Sequence, residues 1–347
     1  MIAKTPRYRI ILSSAETQLK LGLCVLGCGS FAHSFSESLS TSRDEMDLYF
    51  ASRDLSRSAA YSEEFGGVGA FGSYEDAVAD PRIDAVYICT PHDLHLEHAR
   101  LAAAANKHIL LEKPIARTIE EAGQLISVAN EAGVTLMVAE NCRFLSAVQE
   151  AKRIIDSGAL GKVRLIQLHE EFPFKPNSWR NDKSRNGGGT FIDGGIHKVS
   201  VLSYLAGRPT QLYASQVPPG QPGLDAEDGI VVTTRSQSGV VGIINHTWSI
   251  GQASERPTVS VSGTLGRINF EMGRPWLKID YGHSQEVRHL DDHMRGIDPM
   301  MSEFMRSIRE KTEPTMTGEE GRLDLAMVLK AYESAKTGLP VLLGSDF

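Results

Sequence analysis

The sequence lacks any run of about 20 uninterrupted apolar residues, the length a membrane-crossing helix requires, so a helical membrane protein is not expected. It also lacks an excess of basic charge: 36 Lys and Arg stand against 43 Asp and Glu, a formal net charge of -7. A surface of that sign does not replace the counterions of a nucleic acid or an anionic membrane, and neither is expected as a partner. The longest basic clusters, Lys152-Arg153 and Arg306 to Lys311, are short and read as wet helix faces. Cysteine is scarce and forms no CxxC pair. Cys24, Cys28, Cys89 and Cys142 read as free thiols, three of them in or beside apolar strand-like runs, which suits a reducing, cytoplasmic setting. There is no internal repeat and no low-complexity segment, and residues 1–20 form an N-terminal extension without a readable pattern.

What is present is an ordinary globular composition, 41% hydrophobic and 23% charged, over 347 residues, long enough for two domains. From Leu21 to Glu140 short β-branched runs alternate with helical patterns, the rhythm of βαβ units and a parallel sheet. The runs are Leu21–Leu26, Asp47–Ala51, Ala85–Cys89, His108–Leu111 and Thr135–Val138. Ser73 to Asp76 and Thr118 to Glu121 fit capping boxes, in which each side chain satisfies an orphan helix amide. After a helix over 145–156 the texture changes to longer alternating strands: Lys162–Glu171, Gln211–Val217, Gly229–Arg235, Val240–Trp248 and Thr258–Phe270. These predict an open, mainly antiparallel sheet, closed by helices over 300–310 and from the Thr317 capping box to Lys336. The expected fold is therefore α/β: a dinucleotide-binding Rossmann domain over 21–140 and an α+β domain over 141–347. Few helices are available to cover the second sheet, so one of its faces is expected to be buried against another copy, in a homodimer or homotetramer.

Leu21–Leu26 runs into Gly27-Cys28-Gly29-Ser30-Phe31-Ala32, a GxGxxA turn followed by a helix. Gly27 permits the tight turn, Gly29 lets backbone amides approach a pyrophosphate, and Ala32 allows close helix packing. The start of the helix then offers free N–H groups and the positive end of its dipole to an anion. The preceding Val25-Leu26-Gly27-Cys28 imitates a lipoprotein cleavage site, but that reading gives no reason for the βαβ context. About 20 residues on, where this fold reads the ribose, the strand ends in Ala51-Ser52-Arg53-Asp54. Ser52 and Arg53 suit a 2′-phosphate, which favours NADP, while Asp54 stands one step from where NAD wants an acid.

Two neighbouring strand ends are polar. One is Thr90-Pro91-His92-Asp93-Leu94-His95 and the other Glu112-Lys113-Pro114, at the carboxyl ends where open α/β sheets bind ligands. Thr90, Pro91, His95, Glu112 and Lys113 are candidate cofactor contacts, although a strand-end lysine is also a common solvated charge. Asp193 and His197, in Gly187 to His197, stand four apart and share a face if the segment is helical. An imidazole oriented by a carboxylate is a sound base for a hydroxyl proton, though such a pair also occurs as a simple surface contact. His92, His95 and His98 lie at intervals of three without a partner cysteine or carboxylate at ligand spacing, and no metal site is assigned to them.

GCGSFA, CTPHDLH, ILLEKP, NCRF, GGGTFIDGGIH and AYESAKTGLPV occur in that order over 21–344, and together they resemble the Gfo/Idh/MocA family, named for glucose-fructose oxidoreductase, inositol dehydrogenase and a rhizopine-catabolism protein. The resemblance implies a Rossmann domain, an open-sheet domain used for oligomer contacts, a cleft site between them, and no metal. It also implies joint action of the EKP lysine, the acid and the histidine, here Lys113, Asp193 and His197, on a sugar or polyol with NADP or NAD. In that scheme His197, oriented by Asp193, takes a hydroxyl proton while Lys113 holds the oxygen. Arg143, Trp179 and Arg180 are candidate substrate contacts. Many relatives carry an acid shortly after the histidine, and Lys198 to Ser200 offers none. Two other readings share this frame: redox-assisted glycoside cleavage, and a non-catalytic cofactor-binding regulator, against which the retention of Lys113, Asp193 and His197 argues.

Overall fold

The computed structural model describes residues 20–175, 178–253, 256–291 and 295–344. The N-terminal extension thus lies outside the described residues except for Lys20.

Six parallel strands form the first sheet: β1 (Leu21–Leu26), β2 (Met46–Ala51), β3 (Gly69–Phe71), β4 (Ala85–Ile88), β5 (His108–Glu112) and β6 (Leu136–Ala139). Their order is β3-β2-β1-β4-β5-β6. The direction of winding reverses between β1 and β4, the point where open α/β sheets bind ligands beyond the carboxyl ends of their strands. The apolar runs continue through each central strand because helices cover both faces; Leu23 to Leu26 and Ala85 to Ile88 are all fully buried. The short, half-buried β3 has no counterpart in the sequence reading.

The second sheet has nine strands: β7 (Val163–Glu171), β8 (Pro209–Gln216), β9 (Gly229–Ser236), β10 (Val241–Thr247), β11 (Val259–Gly263), β12 (Arg267–Phe270), β13 (Trp276–Asp280), β14 (Gln285–His289) and β15 (Val341–Leu342). Their order is β14-β13-β12-β11-β7-β10-β9-β8-β15, antiparallel except for the β7–β10 pair. The single strand expected over Thr258–Phe270 is instead a hairpin, turned at 264–266 where Gly263 N–H donates to Gly266 O at 2.8 Å. β13 and β14 were not anticipated, since β14 is almost wholly exposed and carries no apolar alternation.

Helix Ile196–Ala206 covers the inner face of this sheet, and helix Gly318–Thr337 runs from β6 and helix Ile119–Ala132 at one end to β8 at the other. The outward residues of β8 and β9 remain open, with Tyr213 42% and Val231 37% exposed. Ser73, Thr118 and Thr317 each accept an amide of their helix's first turn as expected. Two of the acids expected to complete the boxes act elsewhere: Glu121 pairs with Arg117, and Glu320 with Arg143 and Arg208. A further tie joins helix Ile297–Glu310 to the turn after helix Ser30–Ser38. The Asp298 carboxylate there accepts the backbone amides of Ser40, Thr41 and Ser42 at 2.9 to 3.2 Å and also takes their three hydroxyls. Among the described residues no helix is long and apolar enough to cross a membrane, and all four cysteines are free.

Candidate active site

The site begins at the glycine turn. Gly27 has φ +101°, and a Cβ there would stand 3.0 Å from Cys89 O, so both backbone conformation and packing demand glycine. Gly29 is different: it is extended, and a Cβ would meet nothing within 4 Å. The chain's own packing does not require that second glycine, but a pyrophosphate pressed against the backbone does. Helix Ser30–Ser38 follows with no side-chain cap and no acid in its first turn, which leaves its leading amides for an anion. Ser30 is exposed, Phe31 partly buried and Ala32 buried. These features fit a dinucleotide.

At the tip of β2, Ser52 is buried and Arg53 exposed. Asp54 commits its carboxylate to Ser56, whose N–H and hydroxyl donate at 2.9 and 2.7 Å, as the cap of helix Leu55–Glu64. Arg57, in the first turn of that helix, is also exposed and acts electrostatically on Cys28 in the glycine turn. The sequence reading missed it; its signal was a second arginine one helical turn after Arg53.

The β4 tip is built for support. Thr90 and Pro91 follow the strand, with the Thr90 hydroxyl 2.9 Å from His98 Nδ1. His95, expected to touch the cofactor, is fully buried, with its two ring nitrogens 3.0 Å from Thr90 O and Pro114 O. Burial pushes its pKa down to about 4. It is a brace tying the β4 tip to the Lys113-Pro114 turn, because both nitrogens already face backbone carbonyls. Glu112, likewise expected at the cofactor, is buried and accepts the Tyr87 hydroxyl, and burial pushes its pKa up to about 7. Its carboxyl belongs to the sheet interior.

Lys113, at the end of β5, reaches across to the segment beside the second sheet. Its Nζ donates to Asp193 O at 2.7 Å and lies 3.4 Å from Asp193 Oδ1. Arg180 Nε donates to the other oxygen, Oδ2, at 2.9 Å. Desolvation opposes the Asp193 charge, but Lys113 and Arg180 together hold its pKa down to about 2. The Arg180 guanidinium lies 4.5 Å from the Trp179 ring, whose neighbour in turn is His92, at 4.6 Å edge to face. His92 is tied to Asn186 O at 2.9 Å. Trp179 and Arg180 are thus gathered beside Lys113 and Asp193.

Asp193 and His197 do not pair. Residues Phe191–Gly195 form a π-helical turn, and the Asp193 carboxylate on it is engaged by Lys113 and Arg180 instead. The helix start is held by Glu227, whose carboxylate accepts Thr190 N–H at 3.1 Å, Phe191 N–H at 3.0 Å and the Tyr332 hydroxyl at 2.6 Å. A Cβ on Gly189 would stand 2.0 Å from Glu227 O, so that glycine serves this packing.

His197 is oriented by Glu140, at the end of β6: its Nδ1 lies 2.7 and 3.0 Å from the two carboxylate oxygens. Glu140 is 1% exposed, and its pKa is lowered because His197 and Lys113 outweigh the desolvation. The imidazole itself is shifted down, chiefly by burial and further by the Lys113 ammonium, against the pull of Glu140. Its Nδ1 faces the carboxylate, and among the described residues Nε2 makes no hydrogen bond. The acid that Lys198 to Ser200 lacks therefore comes from another sheet. The sequence reading missed Glu140, whose one signal was its place immediately before NCRF.

Arg143 is not a substrate contact. It is 4% exposed, with Nε bonded to Ser200 Oγ at 2.7 Å, Nη1 to Glu320 at 2.9 Å and Nη2 to Asp324 at 3.4 Å. The turn after β6 aims it into the gap between helices Ile196–Ala206 and Gly318–Thr337.

Residues 21–140 match the model of an oxidoreductase family with an NAD-binding Rossmann fold, and residues 148–269 match the GFO/IDH/MocA C-terminal domain. A 1,5-anhydro-D-fructose reductase of Ensifer adhaerens is 29% identical over 294 residues, 83% of this chain and 88% of that protein. A trans-1,2-dihydrobenzene-1,2-diol dehydrogenase of Danio rerio is 31% identical over 253 residues, 71% of this chain and 73% of that protein. The fold is that of a levoglucosan dehydrogenase solved with NADH and levoglucosan, with a TM-score of 0.84 at 24% identity over 94% of this chain and 100% of the other. The chain belongs to the Gfo/Idh/MocA family of NAD(P)-dependent oxidoreductases.

Proposed function

We propose that the protein moves a hydride between a nicotinamide dinucleotide and the carbinol or carbonyl carbon of a sugar, polyol or sugar derivative. The observation that carries this reading is the meeting of an ammonium from the tip of β5 with the 187–206 segment that bears the imidazole: Lys113 Nζ donates to Asp193 O at 2.7 Å, one helical turn before His197. A bound dinucleotide supplies the hydride acceptor or donor. Gly27, Gly29 and the amides from Ser30 onward would hold its pyrophosphate.

His197 Nε2 takes the substrate hydroxyl proton in oxidation and returns it in reduction. Glu140 fixes the tautomer by accepting Nδ1–H and stabilises the imidazolium that forms. Lys113 holds the substrate oxygen and stabilises the negative charge that develops on it. Asp193 positions that ammonium, with Arg180 as its second partner. The cations Lys113 and Arg180 balance the carboxylates Asp193 and Glu140, which suits a neutral polyol better than an acid sugar.

NADP is the preferred cofactor, because Ser52, Arg53 and Arg57 border the ribose side and Asp54 is occupied by Ser56; NAD is the alternative. Residues 21–140 would hold the dinucleotide and residues 141–347 the substrate. The open face of β8 and β9 would join copies in a homodimer or homotetramer, and the working compartment would be the cytoplasm.

The test is a panel of polyols, aldoses, ketosugars and glycosides followed at the nicotinamide absorbance with each cofactor. Substrate-dependent absorbance change is expected, with the higher kcat/KM for NADP. Dinucleotide binding with no turnover of any member would overturn the reading, and aglycone release without net cofactor change would replace it with glycoside cleavage.

A further inference from the structure

Glu140, Cys142 and His197 bring a carboxylate oxygen, a sulfur and a ring nitrogen within 4.8 Å of one another. Glu140 and Cys142 converge because the chain turns tightly over Asn141–Phe144, with Cys142 N–H donating to Glu140 Oε1 at 3.1 Å. The Cys142 side chain has no part in the chemistry proposed above. Magnesium and calcium seek all-oxygen ligands, whereas an oxygen, nitrogen and sulfur set suits zinc, which is commonly held by three protein ligands with a fourth position open. A thiolate and a carboxylate would also cancel the charge of a dication.

We propose that zinc, or another thiophilic divalent ion, binds Glu140, Cys142 and His197 and switches off proton transfer at His197. The proposal rests on the reading of His197 as the base. Three bonds form, from the metal to Cys142 Sγ, to a Glu140 carboxylate oxygen and to His197 Nδ1. The Cys142 thiol proton leaves to solvent. The proton that Nδ1 shared with Glu140 is displaced, and the neutral ring then carries its proton on Nε2. Nε2 becomes a donor and can no longer accept a proton from a substrate hydroxyl. The His197 side chain is 17% exposed and Cys142 partly exposed, while Glu140 is 1% exposed, so an ion would enter past the imidazole and the thiol. Burial, with the Glu140 and Glu170 carboxylates, holds the Cys142 thiol well above its usual pKa, and the Lys113 and Lys198 ammonium groups would repel the arriving cation, so inhibition that chelation reverses is expected, not a resident metal.

The experiment uses metal-stripped full-length protein. Cobalt(II) added without substrate should produce a thiolate-to-cobalt charge-transfer band in the near ultraviolet at one ion per chain, absent from Cys142→Ser and Cys142→Ala. With dinucleotide and substrate present, zinc chloride should inhibit the wild type, and EDTA should restore it. Both variants should keep the basal kcat while the half-inhibiting zinc concentration rises more than about tenfold. No band in the wild type, or equal zinc sensitivity in the variants, would overturn the site. The band requires no turnover, so it is read even if no substrate is found and the hydride-transfer reading fails.

Discussion

His197 Nδ1 donates to Glu140 Oε1 at 2.7 Å, so the imidazole over one sheet is oriented by a carboxylate at the edge of the other. Replacement of Glu140 by Gln keeps an oxygen that can accept Nδ1–H but removes the charge that stabilises imidazolium. In Glu140→Gln, kcat should fall roughly 10–100-fold, with little change in substrate KM or dinucleotide Kd. Steady-state kinetics with a dinucleotide binding titration checks this. A change confined to KM would assign Glu140 to substrate binding.

Lys113 is held on Asp193, on the segment that carries His197, and in the proposed reaction it holds the developing alkoxide. Truncation in Lys113→Ala should lower kcat by about 10²–10⁴-fold and leave the Kd for the dinucleotide within a small factor. Isothermal titration of the cofactor beside single-turnover kinetics separates the two. An unchanged rate would remove Lys113 from the chemistry.

Arg143 gives a prediction of another kind. Its guanidinium is buried against Glu320 and Asp324, and burial already pushes the Asp324 pKa up to about 7. Arg143→Met strands the buried Asp324 carboxyl, while Glu320 keeps Arg208, and loss of one partner of a buried pair costs about 3–5 kcal/mol. Urea unfolding should register that loss, while KM in the surviving folded fraction stays close to wild type. A raised KM at unchanged stability would return Arg143 to the substrate site.

The parts of this molecule legible in sequence are those whose signal is local. β1, β4 and β5 read as continuous apolar runs because both faces are covered, and Gly27 reads as glycine because its turn admits nothing else. Lys113 and His197 were found from the motifs around them. The partner of His197 was not, since Glu140 lies 57 residues away and only the packing of helix Ile196–Ala206 against the β6 tip brings them together. Asp193 was assigned to the wrong partner because a spacing of four does not show that Lys113 and Arg180, from other segments, reach its carboxylate. His95 and Arg143 look like binding groups in a linear string; burial makes them braces. β14 escaped notice because an exposed edge strand has no buried face to impose alternation.

Cofactor choice should depend on Arg53 and Arg57 together. Both are exposed at the tip of β2 and the first turn of the following helix, suited to a 2′-phosphate and without use for a 2′-hydroxyl. Arg53→Ala should raise the Kd for NADP about 10–100-fold, a loss of roughly 1.5–3 kcal/mol being usual for a hydrogen bond to a charged group. Arg57→Ala should act in the same direction more weakly, and NAD binding should change little in either variant. Fluorescence titration of NADPH and NADH checks this, and equal weakening for the two cofactors would place these arginines on the shared pyrophosphate.

Asp298 sets an acid limit on stability. Its carboxylate receives three amides and three hydroxyls from Ser40, Thr41 and Ser42, and these bonds hold its pKa well below the usual range despite desolvation. The folded value is depressed, so the stabilisation is fully present above the unfolded aspartate value of about 3.9. It is lost as pH falls below that value toward the folded one, because protonation removes the charge the six donors face. Asp298→Asn should therefore lower Tm at neutral pH and flatten the decline between about pH 4 and pH 2 that the wild type shows. Calorimetric scans across that window check it. Parallel declines in the two proteins would mean that another carboxylate governs acid unfolding.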